Sequence, residues 1–157
     1  METKIENYRA PETLNVLLVG NNPMDMGSVL EKLQQVRGQR IVAEIAFDLK
    51  TIVSRLLKFR PNIIFIDDNI GRLKLEETVN TLSNNRTTRD VPITVLKNSN
   101  YSESVGSASI LDYLLKQNLS PEVLYNTLKN SLKLRRTQLF LYQVYKKRKV
   151  LLLGAAN

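Results

Sequence analysis

The residues best placed to do chemistry are one aspartate and two lysines. Asp67 follows Asn62–Ile66 (NIIFI), the most apolar short run in the chain, and precedes Asp68 and Asn69. A run apolar on both faces belongs in the middle of a parallel sheet, so Asp67 stands at the carboxyl end of a central strand. Lys97 and Lys116 close two later apolar runs, Ile93–Leu96 and Ile110–Leu115. Gly20-Asn21 closes the first, Leu14–Val19. Open α/β sheets carry their sites outside the carboxyl ends of the strands. These strand ends therefore define the edge on which a site can be built, and a carboxylate facing two ammonium groups there is held ionised and salt-bridged.

Other chemistries are excluded by what is missing. The chain has no Cys and no His. Thiol chemistry, the commonest general base and the commonest metal ligand are therefore absent, as is any phosphohistidine step within this chain. Neither G-x-G-x-x-G nor G-x-x-x-x-G-K-[ST] occurs, and Gly20 and Gly27 are too far apart for either. Nucleophile-elbow and metal-hydrolase signatures are missing as well. The chain does not read as an enzyme.

The elements that position the strand ends follow from periodicity. After Leu14–Val19, Asn22 caps a helix with Pro23 at its first position. Val29, Leu30, Leu33 and Val36 then recur at helical spacing up to Gly38. Ile41–Phe47 reads as a flanking strand. Asp48 caps a second helix containing Ile52, Val53, Leu56 and Leu57, which Pro61 ends. A weak helix is expected over Leu75–Leu82. The Ser/Asn-rich stretch Asn98–Ser109 has room for a short helix only. Ser120-Pro121-Glu122 combines a capping serine, a proline at the first position and an acid suited to the helix dipole. Five strands alternating with helices imply an open parallel sheet covered on both faces.

Taken together, four segments resemble a known family. Leu17-Leu18-Val19-Gly20-Asn21-Asn22-Pro23-Met24-Asp25 is similar to the opening of a two-component response-regulator receiver domain. Pro61–Asp67 resembles its third strand, which ends on the phosphoacceptor aspartate. Val91–Leu96 resembles its fourth strand. Asp112-Tyr113-Leu114-Leu115-Lys116 resembles its fifth, with the switch aromatic three residues before the lysine. The order and spacing of all four carry the resemblance, over residues 14–134. It implies a flavodoxin-like (CheY-like) three-layer αβα sandwich with a five-stranded parallel sheet. It also implies Asp67 as phosphoacceptor position, and Lys97, Lys116 and Tyr113 at the phosphate and switch positions.

The match is that of an atypical member. In the family an acidic pair after the first strand helps to hold Mg²⁺, which neutralises the crowded oxygens of phosphoryl transfer. Those positions hold Gly20 and Asn21 here. The Ser/Thr position holds Lys97, the proline after the family's lysine is Gln117, and the stretch from Lys97 to Lys116 is about one helical turn short. The metal site is degenerate, no cofactor is expected, and phosphorylation at Asp67 is expected to be impaired. Lys97 then partly replaces the metal's charge. Asp25, early in the first helix, reads as an acid favouring the helix dipole.

Length and charge complete the division. The 157 residues suit one domain with short extensions. Residues 1–13 read as a flexible leader, 14–134 as the receiver-like domain, and 135–157 as a basic helical extension. From Lys129 onward there are eight basic residues and no acidic one; before it, fifteen of each sign. The formal charge of +8 thus resides in one segment. If the last helix continues through Leu139, Leu141 and Val144 to Lys149, it is about 45 Å long and projects from the domain. The resulting expectation is a cytoplasmic signalling domain that acts through protein contacts, with a sensor histidine kinase or output protein as partner and a homodimer through the last helix as one use of the extension. No apolar run is long enough to span a membrane. Two alternatives stand beside this one: a working phosphoacceptor receiver, and a nucleic-acid-associated adaptor using Lys146-Lys147-Arg148-Lys149, a patch of low specificity.

Overall fold

The computed structural model describes residues 11–98 and 109–155. Its strands are β1 (Thr13–Val19), β2 (Arg40–Ala46), β3 (Ile63–Asp67), β4 (Ile93–Lys97) and β5 (Ile110–Leu115). Its helices are α1 (Pro23–Gln34), α2 (Leu49–Leu56), α3 (Arg72–Asn84) and α4 (Pro121–Ala155). Single 3₁₀ turns, Asp68–Ile70 and Lys116–Asn118, follow β3 and β5. All strand pairs are parallel, in the order β2-β1-β3-β4-β5. β3 is central and every one of its residues is buried. The flavodoxin-like arrangement expected from the sequence is the one observed.

Alternation along the strands builds two cores. On one face Val16, Leu18, Phe65 and Leu96 pack with Met26, Val29 and Leu33 of α1 and Leu124, Leu128 and Leu132 of α4. On the other, Leu17, Val19, Ile64, Ile66 and Val95 pack with Ile52 of α2 and Leu75, Val79 and Leu82 of α3. Asp67 continues the register of Phe65 and so belongs to the α1/α4 face. Lys97 continues that of Val95 and belongs to the α2/α3 face.

Local chemistry sets the helix starts. The Asn22 side-chain oxygen accepts hydrogen bonds from the backbone N–H groups of Met24 and Asp25, and Pro23 takes the first position of α1. Asp48 caps α2, accepting from the Thr51 N–H at 2.7 Å and the Thr51 hydroxyl at 2.6 Å. The Ser120 hydroxyl accepts from the Val123 N–H. α3 begins at Arg72, three residues before the expected Leu75, because Gly71 adopts φ +94° and turns the chain into the helix without a side-chain cap. A backbone start of this kind leaves no capping residue to read.

Two boundaries differ from expectation. Thr13 already belongs to β1, and the Gln39 amide donates to the carbonyls of Pro11 and Glu12. The expected division at residue 135 falls inside α4, which runs unbroken for 35 residues, about 52 Å. Past Leu132 that helix is mostly exposed. The short helix expected between Asn98 and Ser109, and most of the expected leader, lie outside the described residues. Among the described residues no helix is long and apolar enough to cross a membrane.

Candidate functional site

The carboxyl edge of the sheet gathers residues from three loops. Asp67 is 1% exposed. Its Oδ2 accepts a 2.8 Å hydrogen bond from the Lys116 ammonium, which arrives from the 3₁₀ turn after β5. The same ammonium donates at 3.0 Å to Asp25 Oδ2, from the first turn of α1. One cation thus bridges two carboxylates. Asp67 Oδ1 accepts from the Asn69 N–H at 2.9 Å, so both oxygens of the buried carboxylate have a donor, as burial of a charge requires.

The loops around the ion pair are tied to each other. The Asn69 amide donates to Asn21 Oδ1 at 3.0 Å, and the Asn21 amide donates back to the Asn69 carbonyl at 3.3 Å. Asp68 turns away from Asp67: its Oδ1 accepts from the Asn98 backbone N–H and side-chain amide, at 3.2 and 2.7 Å. The reciprocal Asn21–Asn69 pair closes the loop after β1 onto the loop after β3. The Asp68–Asn98 pair does the same between the loops after β3 and β4.

Burial taken alone draws the Lys116 ammonium down. The hydrogen bonds to Asp67 and Asp25, and the charges of both carboxylates, outweigh burial and leave its pKa above the ordinary lysine value. Burial also pushes the Tyr113 phenol up.

The sequence-derived site residues divide into two groups. Asp67, Lys116 and Asn21 come together on the α1/α4 side. Lys97 and Tyr113 come together on the other: the Lys97 ammonium lies 5.6 Å from the centroid of the Tyr113 ring. Gly20 lies against the core, and a Cβ there would meet Met26 Sδ at 2.6 Å. The space next to Gly20 is filled by a buried methionine, Met26. Asp25, which the sequence presents as a dipole acid only, is a member of the site. The signal for it in the sequence is its place in the first turn of α1, directly after the carboxyl end of β1 and so on the same edge as Lys116.

Comparison with known proteins bears on this geometry. No family model and no curated protein sequence matches the chain. Solved structures do. The receiver domain of a Pseudomonas aeruginosa sensor histidine kinase, solved with a magnesium ion in its active-site cleft, superposes with a TM-score of 0.63 at 18% identity, over 76% of this chain and 98% of that one. A chemotaxis response regulator of Vibrio cholerae gives 0.61 at 24% identity, over 76% and 98%. A sensor protein of Polaromonas gives 0.66 at 14%, over 78% and 98%.

This chain has the receiver-domain fold.

In a receiver fold with the order β2-β1-β3-β4-β5, the Asp67 edge lies where the chain leaves β1 and β3 toward opposite sides. That is the switch point at which such sheets bind ligands. These receiver domains match only about three quarters of the chain, and α4 extends well past Leu132, its last residue in the core.

Proposed function

We propose that this chain is a receiver-like signalling domain whose output follows protein contacts, with magnesium-dependent phosphorylation of Asp67 impaired. One observation carries the reading: the Lys116 ammonium stands between Asp67 and Asp25, at 2.8 and 3.0 Å. Phosphoryl transfer to a carboxylate needs a divalent cation to offset the charge of the incoming oxygens. Magnesium takes six oxygen ligands at 2.0–2.1 Å and draws them chiefly from carboxylates and water. Here the position between the two carboxylates is held by nitrogen, the loop after β1 supplies only the neutral Asn21, and that amide is bound to Asn69. Among the described residues no three acidic side chains are grouped to hold a metal. The residues present do not fit the ion well.

The protein surface supports the second half of the proposal. On the distal part of α4, Leu141, Tyr142 and Tyr145 are exposed, as are Val150–Leu153. An exposed apolar set on a projecting helix suits a helical partner: a second copy, a sensor kinase or an output protein. The basic band Lys146–Lys149 selects for acidic surfaces.

A second reading is favoured by Asp25, which gives the pocket a second carboxylate in place of the missing acids and could ligate a cation if Lys116 moved aside. Incubation with acetyl phosphate and magnesium, followed by intact-mass measurement, separates the two. The proposal expects no adduct, whereas a stoichiometric gain of one phosphoryl group, lost in Asp67→Asn, establishes the second reading. Saturable Mg²⁺ shifts around Asp67 at sub-millimolar concentration would count against the first.

A further inference from the structure

The amino edge of the sheet, opposite the ion pair, collects positive charge. Three connections enter strands there: residues 35–39 into β2, 57–62 into β3 and 85–92 into β4. Together with the first residue of β2, which pairs with Thr13 at the start of β1, they bring Arg37, Arg40, Lys58, Arg60, Arg86 and Arg89 to this edge, all exposed. The acids there, among the described residues, are Glu12 and Asp90. Asp90 is shared: it lies 3.8 Å from Arg89 and also faces Arg135. The formal neutrality of the body hides this edge, since four of its aspartates, Asp25, Asp48, Asp67 and Asp68, lie at the opposite one.

Spacing and residue type give this charge a shape. Strand pairing fixes the order of the loops across the edge as β2-β1-β3-β4. Neighbouring strands lie about 4.8 Å apart, so the six cations form a row roughly 15 Å across. Duplex DNA carries one negative charge per about 1.7 Å of its axis, and a row of that length faces a regular series of phosphates. Five of the six cations are arginines. The planar guanidinium pairs with phosphate oxygens through two parallel bonds, where a lysine makes a point contact.

The helix α4 adds a second wall. Arg135 Nη2 donates to the Ser109 carbonyl at 3.3 Å, beside the start of β5, and so fixes the point at which the helix passes the amino edge. Residues 136–155 continue beyond that point for about 30 Å. They carry Lys146–Lys149 and no acid. Edge and helix thus make a cationic corner. The projecting helix holds a flat bilayer off the edge, and an acidic helix laid along α4 covers one wall only. A duplex lying in the corner meets both.

We propose that this corner binds duplex nucleic acid through its phosphate backbone, without choice of sequence. The surface is distinct from the Asp67 edge and does not depend on whether Asp67 is phosphorylated. The test is fluorescence anisotropy of two labelled DNA duplexes of unrelated sequence, each about 20 base pairs, titrated with the full chain at salt from about 50 to 200 mM. Both duplexes should bind alike within about twofold, and affinity should fall roughly 10³- to 10⁵-fold over that range, as six to ten phosphate contacts require. Arg40→Gln and Arg86→Gln, on different loops of the edge, should each flatten the slope of log K against log salt by about 0.9. Both side chains are exposed, so the thermal midpoint of either variant should match the parent. Replacing Lys146–Lys149 by glutamine should flatten the slope by about 3. No saturable binding at about 100 μM protein in the lowest salt would overturn the proposal. So would a slope left unchanged by both arginine variants, which would make the tail a generic patch. Tighter binding at equal salt to poly-glutamate, or to vesicles of equal parts phosphatidylglycerol and phosphatidylcholine, would assign the surface to an acidic protein or a membrane and overturn it as well.

Discussion

At the carboxyl edge of the sheet one ammonium, Lys116, stands between Asp67 and Asp25 with 15% of its side chain exposed. Along the distal part of α4, Lys146, Lys147, Arg148 and Lys149 stand in water, and no acid follows Lys129 in the sequence. The two regions treat positive charge in opposite ways for one reason. A charge taken out of water must be matched by an opposite charge and by hydrogen bonds. A charge left in water is stabilised by solvent and salt and needs no partner. The overall +8 therefore describes the tail, and the chemistry of the pocket rests on a single lysine that composition does not single out.

The contrast breaks most visibly if Lys116 is removed. Lys116→Ala leaves a 1%-exposed carboxylate beside a second one without their shared cation. Urea unfolding at pH 7 should show a loss of about 4 kcal/mol. Adding Asp67→Asn, which removes the stranded charge, should recover a large part of that loss. An unchanged midpoint in the single variant would mean that the pocket is as wet as the tail.

The same helix offers the next test, because its two halves are packed so differently. Leu128→Ala, in the core against the sheet, should cost about 3 kcal/mol. Tyr145→Ala, 61% exposed on the distal half, should stay within about 0.5 kcal/mol for the monomer. If Tyr145→Ala instead lowers the thermal midpoint in a concentration-dependent way, that face is covered by another copy.

Titration sharpens the comparison further. Lys116 has a folded-state pKa above its unfolded value of about 10.4. Its contribution is therefore complete below that value and is lost as pH rises through the folded pKa. Stability measured from pH 9 upward should fall more steeply in the parent than in Lys116→Ala. Parallel curves would remove Lys116 as the cause.

Smaller effects are expected from partners already in contact with solvent. Asp25→Asn removes a carboxylate that is 43% exposed and leaves the 2.8 Å bond to Asp67, so roughly 1 kcal/mol or less should be lost. Replacing Lys146–Lys149 by glutamine should change stability by no more than about 0.5 kcal/mol. The same change should abolish salt-sensitive binding to an acidic partner helix, measured by titration at two salt concentrations.

Much of this architecture is legible in short stretches of sequence. Asn22, Asp48 and Ser120 announce three of the four helices among the described residues through capping chemistry that acts within a few residues. β1 and β3 announce themselves as runs too apolar to sit anywhere but a sheet centre. The start of α3 is not legible, because a glycine at positive φ takes the place of a cap. Asp25 escapes notice because its local role, an acid in a first helical turn, explains it fully. Its contact with Lys116 spans 91 positions, and no periodicity encodes that.

The sequence by itself determined that Asp67 ends a buried central strand, that Lys97 and Lys116 end two others, and that excess charge gathers at the C-terminal end. These are matters of local pattern: period, capping and composition. Only the tertiary structure decided which lysine reaches Asp67. Alternation sent Lys97 to the Tyr113 side, while the turn after β5 carried Lys116 across to Asp67 and Asp25. Strand pairing and helix packing settle such distances, and through them a strand-end aspartate became one half of a shared, buried ion pair.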